Sequence, residues 1–241
     1  MTALQLHLCS AAAVSAECGD ASVWLDWARS GLPEPPAGEA PDFSVVPAAV
    51  RRRLSPMGRC ALAAYAALGP ADTEPAVWAS SWGDIARTFR LTGELAGAGE
   101  ASPAEFALSV HNAVGAQAAI WKKNHLPGTA IAAGPVTGSC ALTAAYTMLK
   151  TSPSVILVRF EEAMPEVWNA RHPKDAAPLP VAWAVRITRE RSEQSITIKA
   201  CETPSDEPSG FAVLDEIRFL LGGSEQLTQS DGRRAWRWER P

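Results

Sequence analysis

Two residues of this chain could form a nucleophile and its base. Cys140 follows a glycine- and proline-containing turn, Gly134–Ser139, near the start of a helical stretch. Backbone N–H groups gather where a strand meets the amino end of a helix, and such a position stabilises a thiolate. With His111 as the base, this pair would make the protein a thiol-dependent acyltransferase. The alternative interpretation is a buried, unreactive cysteine and a hydrogen-bonded histidine at an interface.

Other polar residues have a structural and a functional interpretation too. Glu161 and Glu162 end an apolar run, where we expect a solvated pair; a general-acid pair would need a facing cleft. Arg51–Arg53 is expected on a solvated helix face rather than in a phosphate site. The five cysteines are scattered, without the spacing of a metal site, so we expect reduced thiols, no metal and no cofactor.

The turn lies inside a strand–helix–strand pattern, Gly128–Glu162. The apolar runs Ala130–Ala133 and Val155–Phe160 lack polar alternation, which predicts strands covered on both faces. Between the runs, apolar residues recur at helical spacing. The pattern predicts an α/β fold with any chemistry at the turn.

Flanking segments supply further elements. Asp84 and Ser102 are placed as N-caps, and Ser102 is followed by Pro103 and Glu105 in a capping-box arrangement. One small-residue helix is predicted from Phe106 to Lys123. Further predictions are a first strand over Leu4–Val14, two mutually paired strands over Val181–Arg189 and Gln194–Cys201, a helix over Leu214–Leu221 and a last strand over Ala235–Arg240.

Composition limits the class of protein. The chain has 241 residues, 47% of them hydrophobic, enough for the core of a single domain covering residues 1–241. A net charge of −4 gives no reason to expect nucleic acid as a partner. There is no apolar run of membrane-spanning length, and the amino end favours a strand over a signal peptide. We expect a cytoplasmic protein.

Three segments in order resemble a β-ketoacyl synthase of the thiolase superfamily. They are RRRLSPMGRCALAAYAAL, FALSVHNAVGAQAAIWKKNHLPG and TAIAAGPVTGSCALTAAYTMLKTSPSVILVRFEE. The chain is most similar to ketosynthase-like chain-length factors of aryl polyene systems. The resemblance implies a thiolase-like α/β fold, a mixed five-stranded sheet with helices on both faces. Residues 1–162 resemble the N-terminal half of a ketosynthase, and residues 163–241 would be a reduced C-terminal part.

The resemblance also implies a chemistry that this chain lacks. The family uses a cysteine at the helix amino end and two histidines from its second half. Alignment by spacing puts the nucleophile position between Gly134 and Thr137, a window that contains Pro135 and Val136 but no cysteine. The remaining histidines outside the first strand, His111, His125 and His172, are not in the family's sequence contexts.

A non-catalytic chain-length-factor subunit is therefore implied. It would pair with a full-length β-ketoacyl synthase, which contributes the cysteine and histidines, and would meet an acyl carrier protein transiently. The family's dimer joins two sheets at the strand before the turn, and Gly128–Ala133 has no charge or proline to protect an edge. The residues predicted at the interface or shared cavity are Phe106, Ser109, Val110, His111, Asn112, Ala130 and Ile131.

Overall fold

One mixed sheet organises the structure. The computed structural model describes residues 3–169, 176–192, 194–202 and 211–241. In these ranges eight strands form a single sheet in the order β3-β2-β4-β5-β1-β6-β8-β7. The strands are β1 (Leu4–Ser15), β2 (Ala76–Ala79), β3 (Gly128–Ile131), β4 (Ser154–Glu161), β5 (Val181–Thr188), β6 (Gln194–Cys201), β7 (Gln226–Ser230) and β8 (Ala235–Glu239).

Helices cover both faces of this sheet, as predicted. Two apolar cores result: one contains Trp24, Ala141 and Val213, and the other contains Met57 and Val114. The helices are α1 (Ala21–Ser30), α2 (Ala48–Arg51), α3 (Pro56–Ala67), α4 (Ile85–Ala98), α5 (Pro103–Ser109), α6 (Ala113–Lys122), α7 (Thr137–Met148), α8 (Glu166–Asn169) and α9 (Ala212–Leu220).

The prediction of five strands was too low, because the C-terminal strands extend the same sheet. Strands β2, β3 and β4 are parallel, and β5 continues antiparallel to β4. The predicted pairing of β5 with β6 was also wrong: the long strand β1 lies between them and is antiparallel to both. Alternating residues identify a strand but do not identify its neighbour.

The two apolar runs beside the turn differ in burial. Residues Val155–Phe160 of β4 are almost completely buried, which confirms the prediction of cover on both faces. The Ala130–Ala133 run is only partly covered and its strand ends at Ile131, so the same prediction was wrong there. The reason is position: β3 is the edge strand of the described sheet, with β2 as its neighbour.

The predicted helix Phe106–Lys123 is two helices. Helix α5 ends at Ser109, Val110 adopts an extended backbone conformation, and α6 begins at Ala113 after Asn112. The Ser109 hydroxyl donates to the carbonyl of Phe106, which helps to close α5. The interruption places His111 in a connection that reaches the edge strand.

The predicted caps are present. The Asp84 side chain accepts from the N–H of Arg87 at the start of α4, and the Ser102 hydroxyl accepts from the N–H of Glu105 at the start of α5. The Glu105 carboxylate, however, binds arginine side chains of α4. The capping-box residue therefore joins two helices.

Candidate functional site

The turn after β3 is held by the hydroxyl of Thr137. This hydroxyl donates to the carbonyl of Gly134 at 2.7 Å and accepts from the N–H of Ala133 at 2.9 Å. Thr137 is completely buried. Its oxygen is therefore a structural group of the turn, and the side chains of Gly134, Pro135 and Val136 contain no nucleophilic atom.

Cys140 and His111 do not form a pair. Cys140 is the fourth residue of α7 and half-buried; burial raises the pKa of its thiol, and the charged groups acting on it are Arg234 and Asp231. His111 Nε2 donates to the carbonyl of Ile131 at 3.1 Å, and no hydrogen bond joins it to Cys140 in the described ranges. A protonated thiol without an adjacent base is not an activated nucleophile.

A buried polar cluster fills the space beneath the turn. The Glu216 carboxyl of α9 accepts from the Trp183 indole N–H at 2.8 Å and from the Gln229 amide at 2.6 Å. The guanidinium of Arg159 lies 3.3 Å from the same carboxyl. Burial raises the pKa of Glu216, while Arg159 opposes that change. Residues of the C-terminal elements α9 and β7 thus contact the turn from the interior of the protein.

This cluster also engages the amino end of α7. The amide oxygen of Gln229 accepts from both the backbone N–H and the hydroxyl of Ser139, at 3.0 and 2.6 Å. The Trp238 indole N–H donates to that hydroxyl at 2.8 Å. The amino end of α7 could stabilise a thiolate, but its Ser139 N–H is already hydrogen-bonded to Gln229 in the protein interior.

The expected solvated pair, Glu161 and Glu162, was wrong because both side chains are buried. Glu161 forms an ion pair with the fully buried Arg159 and accepts from the backbone N–H of Ser81. Glu162 accepts from the N–H of Ala86, at the start of α4. Burial raises the pKa of Glu162 to about 7, and Asp84 and Glu161 add to this rise.

A cavity of about 180 Å³ lies between α6 and the edge strand. Tyr65 and Trp78 contribute aromatic rings with centroids 5.3 Å apart. Small residues of α6 and the backbone of β3 form other walls. The residues that line the cavity are Tyr65, Ala76, Trp78, Asn112, Gly115, Ala116, Ala118, Ala119, Asn124, Leu126, Pro127, Gly128, Thr129 and Ala130.

Two of the predicted interface and cavity residues, Asn112 and Ala130, line this cavity. Phe106 and Val110 are instead on the outer surface, 65% and 47% exposed. Ser109, His111 and Ile131 lie on the segments beside the cavity, while His172 is outside the described residues.

Sequence reasoning missed the aromatic residues Trp78 and Tyr65. Each looked like an ordinary core residue of its own element. One signal was available: Gly115 is in a helix, where an added Cβ would approach the Trp78 ring to 2.6 Å. A glycine inside a helix permits such a close approach, although Gly93 of α4 shows that it does not require one.

A protein-family model adds the decisive comparison. The model described as "Beta-ketoacyl synthase, N-terminal domain" matches residues 24–239, most of the chain. The chain belongs to the β-ketoacyl synthase N-terminal domain family. The resemblance found in the sequence is thereby confirmed.

Solved structures confirm the thiolase-like ketosynthase fold. One chain of a complex of the ketosynthase ApeO with its chain length factor ApeC, from Xenorhabdus doucetiae, is 22% identical, with a TM-score of 0.82 over 98% of this chain and 100% of that chain. The ishigamide ketosynthase/chain length factor gives 14% identity and a TM-score of 0.64, covering 82% and 67%. AntDE:AntF, a complex of a type II polyketide synthase acyl-carrier protein with its ketosynthase, gives 10% and 0.69, covering 98% and 99%.

Other searches returned no match or candidate. No curated protein matches the chain. None of the described helices combines the length and the apolar character that a membrane crossing requires. Within the described ranges, His, Cys, Asp and Glu side chains do not form a group of three that could hold a metal ion.

The turn of this β-ketoacyl synthase relative should tolerate no side chain at Gly138. A Cβ there would collide with the Glu216 carboxyl, so we expect Gly138→Ala to lower the free energy of unfolding by about 2 kcal/mol. Gly93, in α4, has open space around it, and Gly93→Ala should raise stability by roughly 0.5–1 kcal/mol. Urea unfolding measures both, and equal stability of Gly138→Ala and wild type would contradict the described packing.

The raised pKa of Glu162 predicts a pH-dependent stability. Its pKa is about 7 in the fold, above the ordinary glutamate value of 4.5. The unfolded chain therefore binds fewer protons between these pH values, and this group's contribution to stability increases as pH falls. Glu162→Gln keeps an oxygen acceptor for Ala86 and should be more stable than wild type by about 3 kcal/mol at pH 8. The difference should shrink to about 1 kcal/mol at pH 5.5, measured by urea unfolding at each pH; a pH-independent difference would exclude the titration of Glu162.

Proposed function

We propose that this chain is a non-catalytic chain-length-factor subunit. It pairs with an active β-ketoacyl synthase and shapes the acyl cavity during the elongation of aryl polyene or fatty-acyl chains. The observation that carries the proposal is the turn: a family member has only glycine, proline, valine and a hydrogen-bonded threonine at the nucleophile window. Chemistry must then come from a partner that supplies the cysteine and histidines.

Cys140 offers no substitute for that nucleophile. It is partly buried within α7, its pKa is raised, and its charged neighbours are Arg234 and Asp231. A thiol acyltransferase needs a cysteine activated by a base or by a lowered pKa. The acyltransferase alternative therefore has no support.

The edge strand supplies the surface for a partner. The short strand β3 has β2 on one side only, and it contains no charge or proline that would discourage pairing. Apolar side chains are exposed around it, including Ile120 at 60% and Leu126 at 43%. Pairing with a strand of the ketosynthase would give hydrogen-bond partners to the outer backbone N–H and C=O groups of β3 and would cover these side chains.

The cavity adjoins the same edge. Ala130 of β3 and Ala116 of α6 both line it, so a subunit docked on β3 would lie against the cavity. The apolar and aromatic lining suits a hydrocarbon chain delivered on an acyl carrier protein. In this arrangement the depth of the cavity limits how far the chain extends.

The solved complexes support this assignment by analogy. They comprise ketosynthases with chain length factors and, in one case, an acyl-carrier protein with its ketosynthase. We assign residues 1–241 to one ketosynthase-like domain, with residues 163–241 as a reduced C-terminal part. The proposed location is the cytoplasm, where free thiols such as those of Cys9 and Cys18 stay reduced.

The interface is tested by introducing a charge on the edge strand. Ala130→Asp would bury an unpaired carboxylate against the partner, at a cost of about 3 kcal/mol or more, so its complex with a full-length ketosynthase should be lost. Gln226→Asp places the same new charge on β7, the opposite edge, and should keep a one-to-one complex. Co-purification and light scattering measure this; a wild-type chain that never binds a ketosynthase, or a bound Ala130→Asp, would count against the proposal.

The cavity is tested by reducing its depth. Ala116→Leu should fill part of the ~180 Å³ and shift the products of the reconstituted complex to shorter chains. Ala96→Leu adds the same side chain at an exposed position of α4 and should leave the products unchanged. Mass spectrometry of the products decides the matter, and an unaltered length distribution with Ala116→Leu would exclude this cavity as the determinant.

A further inference from the structure

Helix α5 lies on the surface, and only Glu105, Leu108 and Ser109 of it are partly buried. None of its seven residues, all of which the structure describes, is buried. Phe106 is 65% exposed, and Val110, the residue that follows, is 47% exposed. Hydrophobic burial, the usual reason for a helix to stay in place, contributes little here.

Charge takes the place of burial. The Glu105 carboxylate of α5 receives two arginine side chains of α4: Arg87 Nη1 at 2.7 Å and Arg90 Nη2 at 2.5 Å, both on Oε2. Such charge-assisted hydrogen bonds are about twice as strong as neutral ones and fix direction as well as distance. The two arginines thus join α5 to α4 through one carboxylate.

Arg87 is the rigid member of this group. Its guanidinium is buried, with Nε donating to Asp84 Oδ2 at 2.9 Å and Nη2 donating to the carbonyl of Arg53 at 3.1 Å. Asp84 is the N-cap of α4, and Arg53 follows α2. Arg87 therefore has a position fixed by two elements, and α5 depends on it through Glu105.

The contact between α5 and the residues beneath it leaves a small void. A void of about 10 Å³ lies between Leu108 of α5 and the chain around Leu54. Gln117 borders it and is 6% exposed, yet its Oε1 has no hydrogen-bond partner among the described residues. The contact beneath α5 thus includes one small gap and one unpartnered polar atom among the described residues.

We propose that Arg87, acting through Glu105, is a positioning residue that holds α5 so that Phe106 and Val110 face the ketosynthase partner. The identity of that partner rests on the proposed function. The inference that Arg87 and Glu105 hold α5 against α4 depends only on the contacts described above. Loss of Glu105 releases α5 while leaving the sheet and its two cores unchanged.

Hydrogen–deuterium exchange of the isolated chain tests this tether. Glu105→Ala removes both ion pairs and introduces a residue of higher intrinsic helix propensity, while Glu105→Gln, which also removes the first-turn charge, controls for the lost interaction with the helix dipole. We expect roughly ten-fold faster exchange at amides 106–109 with an unchanged melting temperature. Glu94→Ala removes only the exposed pair with Arg90 at 3.8 Å and should exchange like wild type.

A conservative variant tests whether the polar contact of residue 105, rather than the bulk of its side chain, holds α5 in position. Glu105→Gln keeps an oxygen acceptor for Arg87 but loses the charge, so it should restore only part of the protection lost in Glu105→Ala. Equal exchange in wild type and Glu105→Ala would overturn the tether, as would equal loosening in Glu94→Ala.

Binding to a full-length ketosynthase tests the positioning role. Glu105→Ala should weaken the complex about ten-fold, and Glu94→Ala should bind like wild type. Unchanged affinity of Glu105→Ala would overturn the role of Arg87 in positioning. If the wild-type chain binds no ketosynthase, the proposed function fails, and the exchange experiment still decides whether Arg87 holds α5.

Discussion

The buried carboxyl of Glu216 imposes the constraint on which the turn depends. A buried acidic group is tolerated only with full hydrogen bonding and an opposite charge nearby. Here Trp183, Gln229 and Arg159 meet both conditions. These partners come from β5, β7 and β4, so the carboxyl of α9 can be satisfied only when distant parts of the chain have assembled into one sheet.

The sheet edge that leads into the turn follows a different principle. Around β3 and α6 the surface is apolar, the walls of the cavity are small residues, and an edge strand is open. Around α5 the contacts are ionic. Buried, hydrogen-bonded polar groups at the turn thus lie beside an open, partly exposed sheet edge.

Local signals in the sequence predicted the elements better than their surroundings. The run Val155–Phe160 and the caps Asp84 and Ser102 were correctly predicted because burial on both faces and N-capping depend on neighbouring residues. The break between α5 and α6 was missed because Val110, His111 and Asn112 contain no glycine or proline, and His111 bonds Ile131 from a distant segment. The burial of Glu161 was missed because Ser81 comes from a distant segment, although Arg159, two positions earlier on the same face of β4, was a visible partner.

The hydrogen bonds from Ser139 of α7 to Gln229 affect any attempt to introduce a nucleophile at the turn. The amide of Gln229 and the indole of Trp238 already occupy the hydroxyl of Ser139, and Gln229 also takes its backbone N–H. A cysteine introduced at position 135 would therefore lie before the amino end of α7. There, the first-turn N–H of Ser139 already donates to Gln229 and could not stabilise a thiolate. Introducing sulphur at the turn would therefore not by itself provide an activated thiolate, because the contacts of Gln229 and Trp238 with Ser139 would also have to be removed.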